Sequence, residues 1–547
     1  MKRYFFPLIL IMLLIPGCKQ SDIDVEDGLI KTSQNAISVS GTRFVDSFGR
    51  QVIFSGINKV NKNPKMNYFD PDSVNTFEQF SKWGFNCIRL GVIWDGVEPE
   101  PGKYDEKYLD KVEERVNWAA QNGLYVLLNM HQDLFSVLYS DGAPVWATLT
   151  DNQPHVTGSI WSDAYFMSPA VQKAFDNFWA NKPVSDGIGV QDHYANMWKH
   201  VAERFARNKT VIGFDIMNEP FNGTQGTYIL PQILTEYARL YAEETGNVLS
   251  QNEVMAIWAN EDKRYDALSR LQDPEKYARI LDAGKELNHQ FEKTALQSMY
   301  QNVGNAIREV DTTHILFLEH AYFMNSGIPS AIEPVKKKNG ETDPLVAYEA
   351  HGYDLLVDTK YYNNQNNERV DLIFTRINGT SQRIRVPVLV GEWGALNGSE
   401  ESMNSAASHI IKSFEKFGFS NTYWAYSQGI EKNLFFNEVL VRPYPQFIGG
   451  TLTAYSFDRE TGIFNCSWEE STDVKAPTVI YIPDIENLVR ETISLNPERS
   501  STVIQPVKKS KAGYLIVPVT GISVSRSIQF KINKNQYSIS IDDKTNK

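Results

Sequence analysis

The sequence predicts an α/β fold in which a (β/α)8 TIM barrel is followed by a small C-terminal antiparallel β-sandwich. The chain has 547 residues, which exceeds one average domain and suffices for a large barrel with an additional module. Eight short apolar runs alternate with amphipathic segments, as repeated βα units require. Beyond residue 450 the pattern changes to short alternating segments separated by turn residues, which is typical of antiparallel sheets.

The N-terminal residues have the pattern of an export signal. Two basic residues precede an apolar run over 4–15, and a glycine stands directly before Cys18. This arrangement resembles the cleavage site of bacterial lipoproteins, in which the cysteine is acylated. We therefore predict a lipoprotein signal peptide over 1–18 and a flexible, acidic tether over 19–38, with a plain secretory signal as the alternative. We expect the protein to be exported and held by the lipid anchor on Cys18 to a bacterial membrane, at the outer membrane or the cell surface.

The barrel is predicted over 39–450. Several of its strands lack polar alternation, as parallel strands buried on both faces should. Helices fit between them: 106–121 follows Asp105, a suitable N-cap, and 401–417 ends before Gly418. The predicted strands are 52–58, 87–92, 124–130, 211–217, 314–320, 345–351, 386–392 and 421–427.

Two connections are longer than a βα loop requires, over 131–209 and 220–313. The second must contain helices, because 294–310 has an amphipathic period. Apolar residues at 166–179 and 228–241 could line a groove, although packing between helices is the commoner use of such residues. The remaining residues, 451–547, are predicted to form the β-sandwich, which shows no candidate acid–base pair and is expected to be an accessory domain.

Composition excludes several functions. The net charge of −12 and the pI near 5.4 argue against nucleic-acid binding, which needs clustered basic residues. The sequence has no phosphate-binding glycine loop and no zinc-ligand spacing among its nine histidines, so we expect no cofactor. Besides Cys18 it contains only Cys87 and Cys466, which gives no disulfide framework.

Two glutamates stand at the ends of predicted strands four and seven. Glu219 lies in the motif MNEP and Glu392 in GEWG. Either glutamate alone could be a surface residue or an ion-pair partner. In a closed barrel, however, the carboxyl ends of the strands meet at one mouth, and strands four and seven face each other across it. A separation of roughly 5 Å allows one carboxylate to attack the anomeric carbon while the other acts as acid and base. The pair predicts a retaining β-glycosidase with Glu219 as acid/base and Glu392 as nucleophile.

These motifs resemble glycoside hydrolase family 5 from about residue 40 to 450. Residues at other strand ends also match that family's pattern, namely Arg89, His131, His351, Tyr353 and Trp424. The resemblance implies that Tyr353 donates a hydrogen bond to Glu392 and that Arg89 lowers the pKa of Glu392. It also implies that Asn218 binds the sugar 2-hydroxyl and that Trp424 stacks on the sugar ring. Alternatively, Trp424 could be a core residue, and Tyr353 could make a hydrogen bond with a purely structural role.

Finer motifs at 56–64, 91–105, 129–136 and 442–451 resemble endoglycoceramidases and related glycosylceramidases. These enzymes cut the bond between a glycan and ceramide, so the implied substrate is a glycosphingolipid or another β-glycoside. The resemblance further implies that Lys59, His131 and Asp133 contact sugar hydroxyls. Two alternatives remain open: a β-glucanase or β-glucosidase acting on non-lipid glycans, and a non-catalytic carbohydrate-binding lipoprotein.

Overall fold

The computed structural model describes residues 35–396, 399–498 and 501–533. The predicted signal peptide, the predicted lipidation site Cys18 and most of the predicted tether lie outside the described residues. Within these ranges no helix combines the length and the hydropathy that a membrane-spanning segment needs.

Eight parallel strands close into a barrel, which confirms the predicted fold. Every residue of these strands is buried, and this explains why the runs show no polar alternation. The predicted strands correspond one by one to the observed ones, with differences at their ends. The strands are Ser55–Lys59, Cys87–Ile93, Tyr125–His131, Val211–Asp215, Ile315–Glu319, Val346–His351, Val388–Glu392 and Ser420–Tyr423.

The two helices predicted in detail begin and end where their sequence signals indicate. The side chain of Asp105 accepts hydrogen bonds from two backbone N–H groups in the first turn of Glu106–Gln121. Gly418 ends the helix Glu400–Phe417 with a φ of 68°, which glycine adopts without strain. The other α-helices are Val74–Lys82, Trp94–Val97, Ala164–Met167, Pro169–Trp179, Val190–Phe205, Gly226–Thr245, Gln251–Ala259, Glu261–Ser269, Pro274–Asp282, Lys285–Phe291, Gln297–Arg308 and Asn367–Ile384.

Two antiparallel sheets share a hydrophobic core at the C-terminal side of the chain, as the predicted sandwich requires. One sheet has four strands, in the order Thr451–Asp458, Ile463–Glu470, Val524–Ile532 and Leu488–Asn496. The other has seven strands, in the order Ile37–Ser40, Arg43–Asp46, Gln51–Val52, Tyr444–Ile448, Thr478–Ile482, Gly513–Val517 and Val503–Pro506.

The seven-stranded sheet therefore contains residues that the sequence had assigned to the barrel. Phe447 pairs with Val52, so the N-terminal strands and the strand at 444–448 complete the sandwich instead. Below the barrel, Phe44 and Phe54 pack with Phe317 in a second apolar cluster. This cluster fills the end of the barrel where the strands begin, and the opposite end is left for the functional site.

Candidate functional site

A cavity of about 230 Å³ opens at the carboxyl ends of the barrel strands. We call it the cleft. One part of its wall is polar and includes Glu219, Glu392, Asp133, Lys62 and Tyr353. The other part is mostly apolar and is supplied largely by the long insertions. This apolar half includes Phe166, Leu230, Ile233, Trp258, Tyr322 and Phe323.

Glu219 and Glu392 face each other in the polar half. An oxygen of each carboxyl group and a ring nitrogen of His351 all lie within 4.8 Å of one another. Both glutamates are buried, and Glu219 has a φ of 44°. Its backbone N–H donates a hydrogen bond to Oε2 of Glu319 at 2.8 Å, which holds this left-handed conformation in place. The separation is that of a carboxylate pair in which one member attacks directly.

Arg89 is fully buried beneath the two glutamates and contacts four carboxylates. Its nitrogens lie 2.7 Å from Glu392, 2.8 Å from Asp215 and 3.0 Å from both Glu319 and Glu349. A charge removed from water in this way is tolerated only when it is closely paired. Arg89 is therefore the cation around which the buried acidic groups are organised.

The electrostatics of Glu392 combine burial with nearby positive charge. Burial raises the pKa of Glu392, and the positive charges of His351 and Arg89 oppose this effect without overcoming it. Arg89 thus acts in the predicted direction. Tyr353 lies where the resemblance implied, with its hydroxyl donating to Oε2 of Glu392 at 3.1 Å.

His351 lies between the two glutamates. Its Nδ1 is 2.8 Å from Oε1 of Glu219 and 3.7 Å from Oε2 of Glu392. Burial lowers the pKa of His351, but the negative charges of Glu319, Glu392 and Glu349 outweigh burial and raise it well above its ordinary value. His351 thus contacts both glutamates, and its raised pKa follows from the carboxylates that surround it.

Asn218, His131 and Trp424 all lie close to the two glutamates. Oδ1 of Asn218 accepts a hydrogen bond from Arg89 at 2.8 Å, and its Nδ2 donates to the carbonyl of Gln132 at 3.0 Å. The rings of His131 and Trp424 stack at 5.2 Å with an angle of 14°, and both line the cleft. Burial, together with Lys62 and Arg89, lowers the pKa of His131, so its ring is neutral.

Lys59 does not line the cleft. Its side chain is buried and pairs with Asp70 and with Asp72, the latter at 3.2 Å. Arg89, Asn218 and His351 are not lining residues either, but Arg89 and His351 contact the two glutamates. Lys62, three residues after Lys59, lines the cleft and pairs with Asp133. The segment GINKVNKNP contains both lysines, and its register in the loop cannot be read from the sequence alone.

Sequence reasoning missed the inner acidic residues and one amide. Asn325 donates a hydrogen bond to Oε1 of Glu219 at 2.6 Å, on the same oxygen that His351 contacts. Asp215 and Glu319 are the last residues of strands that are otherwise apolar, and Glu349 lies inside the strand Val346–His351. A charged residue inside a strand that is buried on both faces was the signal available for these three positions.

Among the residues that the structure describes, three buried sets are close enough to hold a metal ion: His131 with Asp133 and Asp141, Glu219 with His351 and Glu392, and Glu319 with Glu349 and His351. Basic side chains already offset the charge there, because Lys62 pairs with Asp133 and Arg89 contacts Glu319 and Glu392. The expectation that the protein needs no cofactor stays a prediction.

The barrel matches the family model described as Cellulase (glycosyl hydrolase family 5) over residues 45–429. The chain belongs to glycoside hydrolase family 5. The model of the family 5 C-terminal domain matches residues 442–516 as well. As a family 5 glycoside hydrolase, the protein cleaves glycosidic bonds with retention of configuration, in agreement with the close spacing of Glu219 and Glu392.

The chain is similar to named relatives, over most of its length in some cases and over part of it in others. Endoglycoceramidase I of Rhodococcus hoagii is 23% identical over 471 residues, which is 83% of this chain and 81% of that protein. An endoglycoceramidase of Cyanea nozakii is 31% identical over 246 residues, so the match spans 40% of this chain and 47% of that relative. The crystal structure of endo-glycoceramidase II from Rhodococcus sp. in complex with a five-membered iminocyclitol is 25% identical, with a TM-score of 0.64. That match covers 88% of this chain and 98% of the crystallised chain.

Proposed function

We propose that the protein hydrolyses the β-glycosidic bond between the glycan and ceramide of glycosphingolipids. The observation that supports this proposal is that the cleft has a polar half and an apolar half. Its polar half contains Glu219 and Glu392, and its apolar half begins beside them, with Tyr322 and Phe323 among its lining residues. A glycolipid has the same division, because its sugar is polar and its ceramide is apolar. The endoglycoceramidases among the relatives support the same substrate class.

In the proposed reaction Glu392 attacks the anomeric carbon, while Glu219 gives its proton to the departing ceramide oxygen. A covalent glycosyl–enzyme forms and ceramide leaves. Glu219, now ionised, takes a proton from water, and the water oxygen displaces Glu392 from the anomeric carbon. Both substitutions invert this carbon, so the released sugar has the original configuration.

The surrounding side chains prepare the two glutamates for these roles. Arg89, His351 and Tyr353 all stabilise the ionised form of Glu392 through charge or hydrogen bonding. In this proposal Trp424 provides a face for the sugar ring, and Asn218 lies beside Glu219 for the 2-hydroxyl. His131 and Asp133 line the same wall, and Lys62 takes the sugar-contacting role that the sequence had assigned to Lys59.

A β-glucanase or β-glucosidase acting on non-lipid glycans would use the same two glutamates. The apolar half of the cleft favours the lipid substrate over this alternative, because a purely glycan substrate has no large apolar part to place there. A non-catalytic carbohydrate-binding role is disfavoured, since both carboxylates are in place at the required separation.

The test is the release of ceramide and intact glycan from a defined ganglioside and from glucosylceramide, with protein that lacks residues 1–18. Glu392→Gln is the control, because it keeps the shape of the side chain and removes the nucleophile. Product release that is lost in the control supports the proposal. Cleavage of an aryl β-glucoside without cleavage of either glycolipid would contradict the lipid substrate and favour the glucosidase alternative.

The second proposal concerns location. The signal-like segment supports export and anchoring of the protein to a membrane through acylated Cys18, which would hold the enzyme near lipid substrates. Wild type should incorporate labelled palmitate in a bacterial host, and Cys18→Ser should not. Equal labelling of both proteins would contradict the anchor.

A further inference from the structure

One helix of the insertion after the fourth barrel strand borders the apolar half of the cleft. The helix Gln251–Ala259 has the sequence QNEVMAIWA, and none of its residues is buried. Val254, Ile257 and Trp258 are half-buried at spacings that share one helix face, whereas Met255 is 50% exposed. Ile257 packs against the hydrophobic core, whereas Trp258 lines the cleft.

Irregular backbone adjoins both ends of this helix. Gly246, at a φ of 74°, ends the preceding helix, and Ser250 caps the N-terminus of Gln251–Ala259. Asn260, in an extended conformation, then starts the next helix, Glu261–Ser269, by accepting a hydrogen bond from its first turn. That next helix has buried residues. The backbone at 246–250 and at Asn260 is therefore where the chain would bend if helix Gln251–Ala259 moved as a unit.

Arg264, in the helix Glu261–Ser269, makes two contacts with this segment and one with a second insertion. Its NH2 group donates to the carbonyl of Trp258 at 2.6 Å, and its guanidinium carbon lies 4.1 Å from the centre of the Trp258 ring. The same nitrogen is 3.6 Å from Oδ1 of Asp163, in the insertion that follows the third strand. Arg264 is only 4% exposed. It thus joins two insertions that line the same cleft.

The volume of the cleft is small for the proposed substrate. Its volume of about 230 Å³ is below the roughly 300–1,000 Å³ of sites for drug-sized ligands. A sugar together with a two-chain lipid is larger than such ligands. The cleft as it stands thus encloses only part of the proposed substrate, and a movement of its wall at 246–260 would enlarge the enclosed volume.

We propose that helix Gln251–Ala259 is a lid over the apolar half of the cleft, and that Arg264 is the positioning residue that holds Trp258 against the lipid part of the substrate. The lipid part of this proposal rests on the proposed function. In the closed position Trp258 packs on Phe166, with ring centres 5.5 Å apart, and the two rings form a continuous apolar wall. Opening separates Trp258 from Arg264 and Phe166 and leaves the barrel intact.

The kinetic test compares a glycolipid with an aryl β-glucoside, whose short aglycone does not reach the lid. Trp258→Ala should raise KM for the glycolipid about tenfold, since truncating a large aromatic contact commonly costs more than 1 kcal/mol and 1.4 kcal/mol is tenfold. KM for the aryl β-glucoside should change less than about twofold. Met255→Ala, on the exposed face of the same helix, is the matched control and should leave both KM values unchanged.

The positioning role of Arg264 is tested by hydrogen exchange. In Arg264→Met the amides of 247–260 should exchange at least about tenfold faster, while the amides of the barrel strands stay as in wild type. KM for the glycolipid should rise as it does in Trp258→Ala. Arg264→Met leaves the buried carboxylate of Asp163 without this basic partner. The double variant Asp163→Asn with Arg264→Met removes that charge too, and it should show the same faster exchange and the same rise in KM.

Three results would overturn the proposal: unchanged exchange of 247–260 in both Arg264 variants, equal changes of KM for both substrates, or an equal effect of Met255→Ala. If wild type cleaves the aryl β-glucoside and no glycolipid, the proposed function fails and the lipid-holding role fails with it. The exchange measurement needs no substrate, so it still decides whether Arg264 holds the lid.

Discussion

The hydrogen bond from Tyr353 to Glu392 allows a quantitative prediction. The hydroxyl lies 3.1 Å from Oε2 of Glu392, and Tyr353→Phe removes it while keeping the ring. A hydrogen bond to a charged group contributes about 1.5–3 kcal/mol. Because 1.36 kcal/mol corresponds to a tenfold change in rate, we expect kcat/KM to fall by roughly ten- to a hundredfold.

The same substitution should change the pH dependence in a defined direction. The hydrogen bond stabilises the ionised form of Glu392, so its removal raises the pKa of Glu392. Attack requires the ionised form, and the acidic limb of the kcat/KM profile should therefore move to higher pH. An aryl β-glucoside assay across the pH range measures both effects, with Tyr228→Phe as the control because Tyr228 is 62% exposed. Wild-type kcat/KM and an unmoved acidic limb in Tyr353→Phe would show that this hydrogen bond does not stabilise the ionised form of Glu392.

Three further predictions concern the loop lysine at the cleft, a close backbone approach and a buried carboxylate. Lys62→Met should lower kcat/KM at least about tenfold, because Lys62 lines the cleft. Lys59→Met should mainly lower the melting temperature, because Lys59 is paired with Asp72 away from the cleft. Equal losses of kcat/KM in the two variants would contradict this assignment. Gly391→Ala should lower both melting temperature and activity, since a Cβ there would lie 1.2 Å from a carboxyl oxygen of Glu349, and wild-type values would contradict the packing. Burial and the neighbouring Asp133 raise the pKa of Asp141 from 3.8 to about 8, so wild type should lose unfolding free energy as pH rises between these values. In urea unfolding, the free energy of unfolding of Asp141→Asn should rise relative to that of wild type from pH 5 to pH 8. A difference between the two that stays constant with pH would contradict the raised pKa.

The barrel and its two central glutamates were predictable because their signals are local. Strands buried on both faces are mostly apolar, and each run ends at a defined residue. Glu392 is the last residue of its strand and Glu219 lies four residues after the end of its own, so the topology brings both to the same mouth. The motifs around them then indicate the chemistry.

The parts that could not be predicted depend on distant pairing. The strand at 444–448 joins the sandwich because Phe447 pairs with Val52, almost 400 positions earlier, and no local pattern indicates this partner. The choice between Lys59 and Lys62 depends on the path of an irregular loop. The net pKa of Glu392 depends on how deeply the surrounding chain buries it, which its motif does not encode.

The central claim is that Glu392 is the nucleophile of a retaining glycosidase, and trapping the covalent intermediate tests it most directly. A 2-deoxy-2-fluoro-β-glucoside with a good leaving group slows the second displacement more than the first when Glu219 and Glu392 act as assigned. Peptide mass spectrometry should then find the fluoroglucosyl group on the peptide that contains Glu392, and no adduct in Glu392→Gln. An adduct on another residue, or rapid turnover by Glu392→Gln, would contradict the assignment.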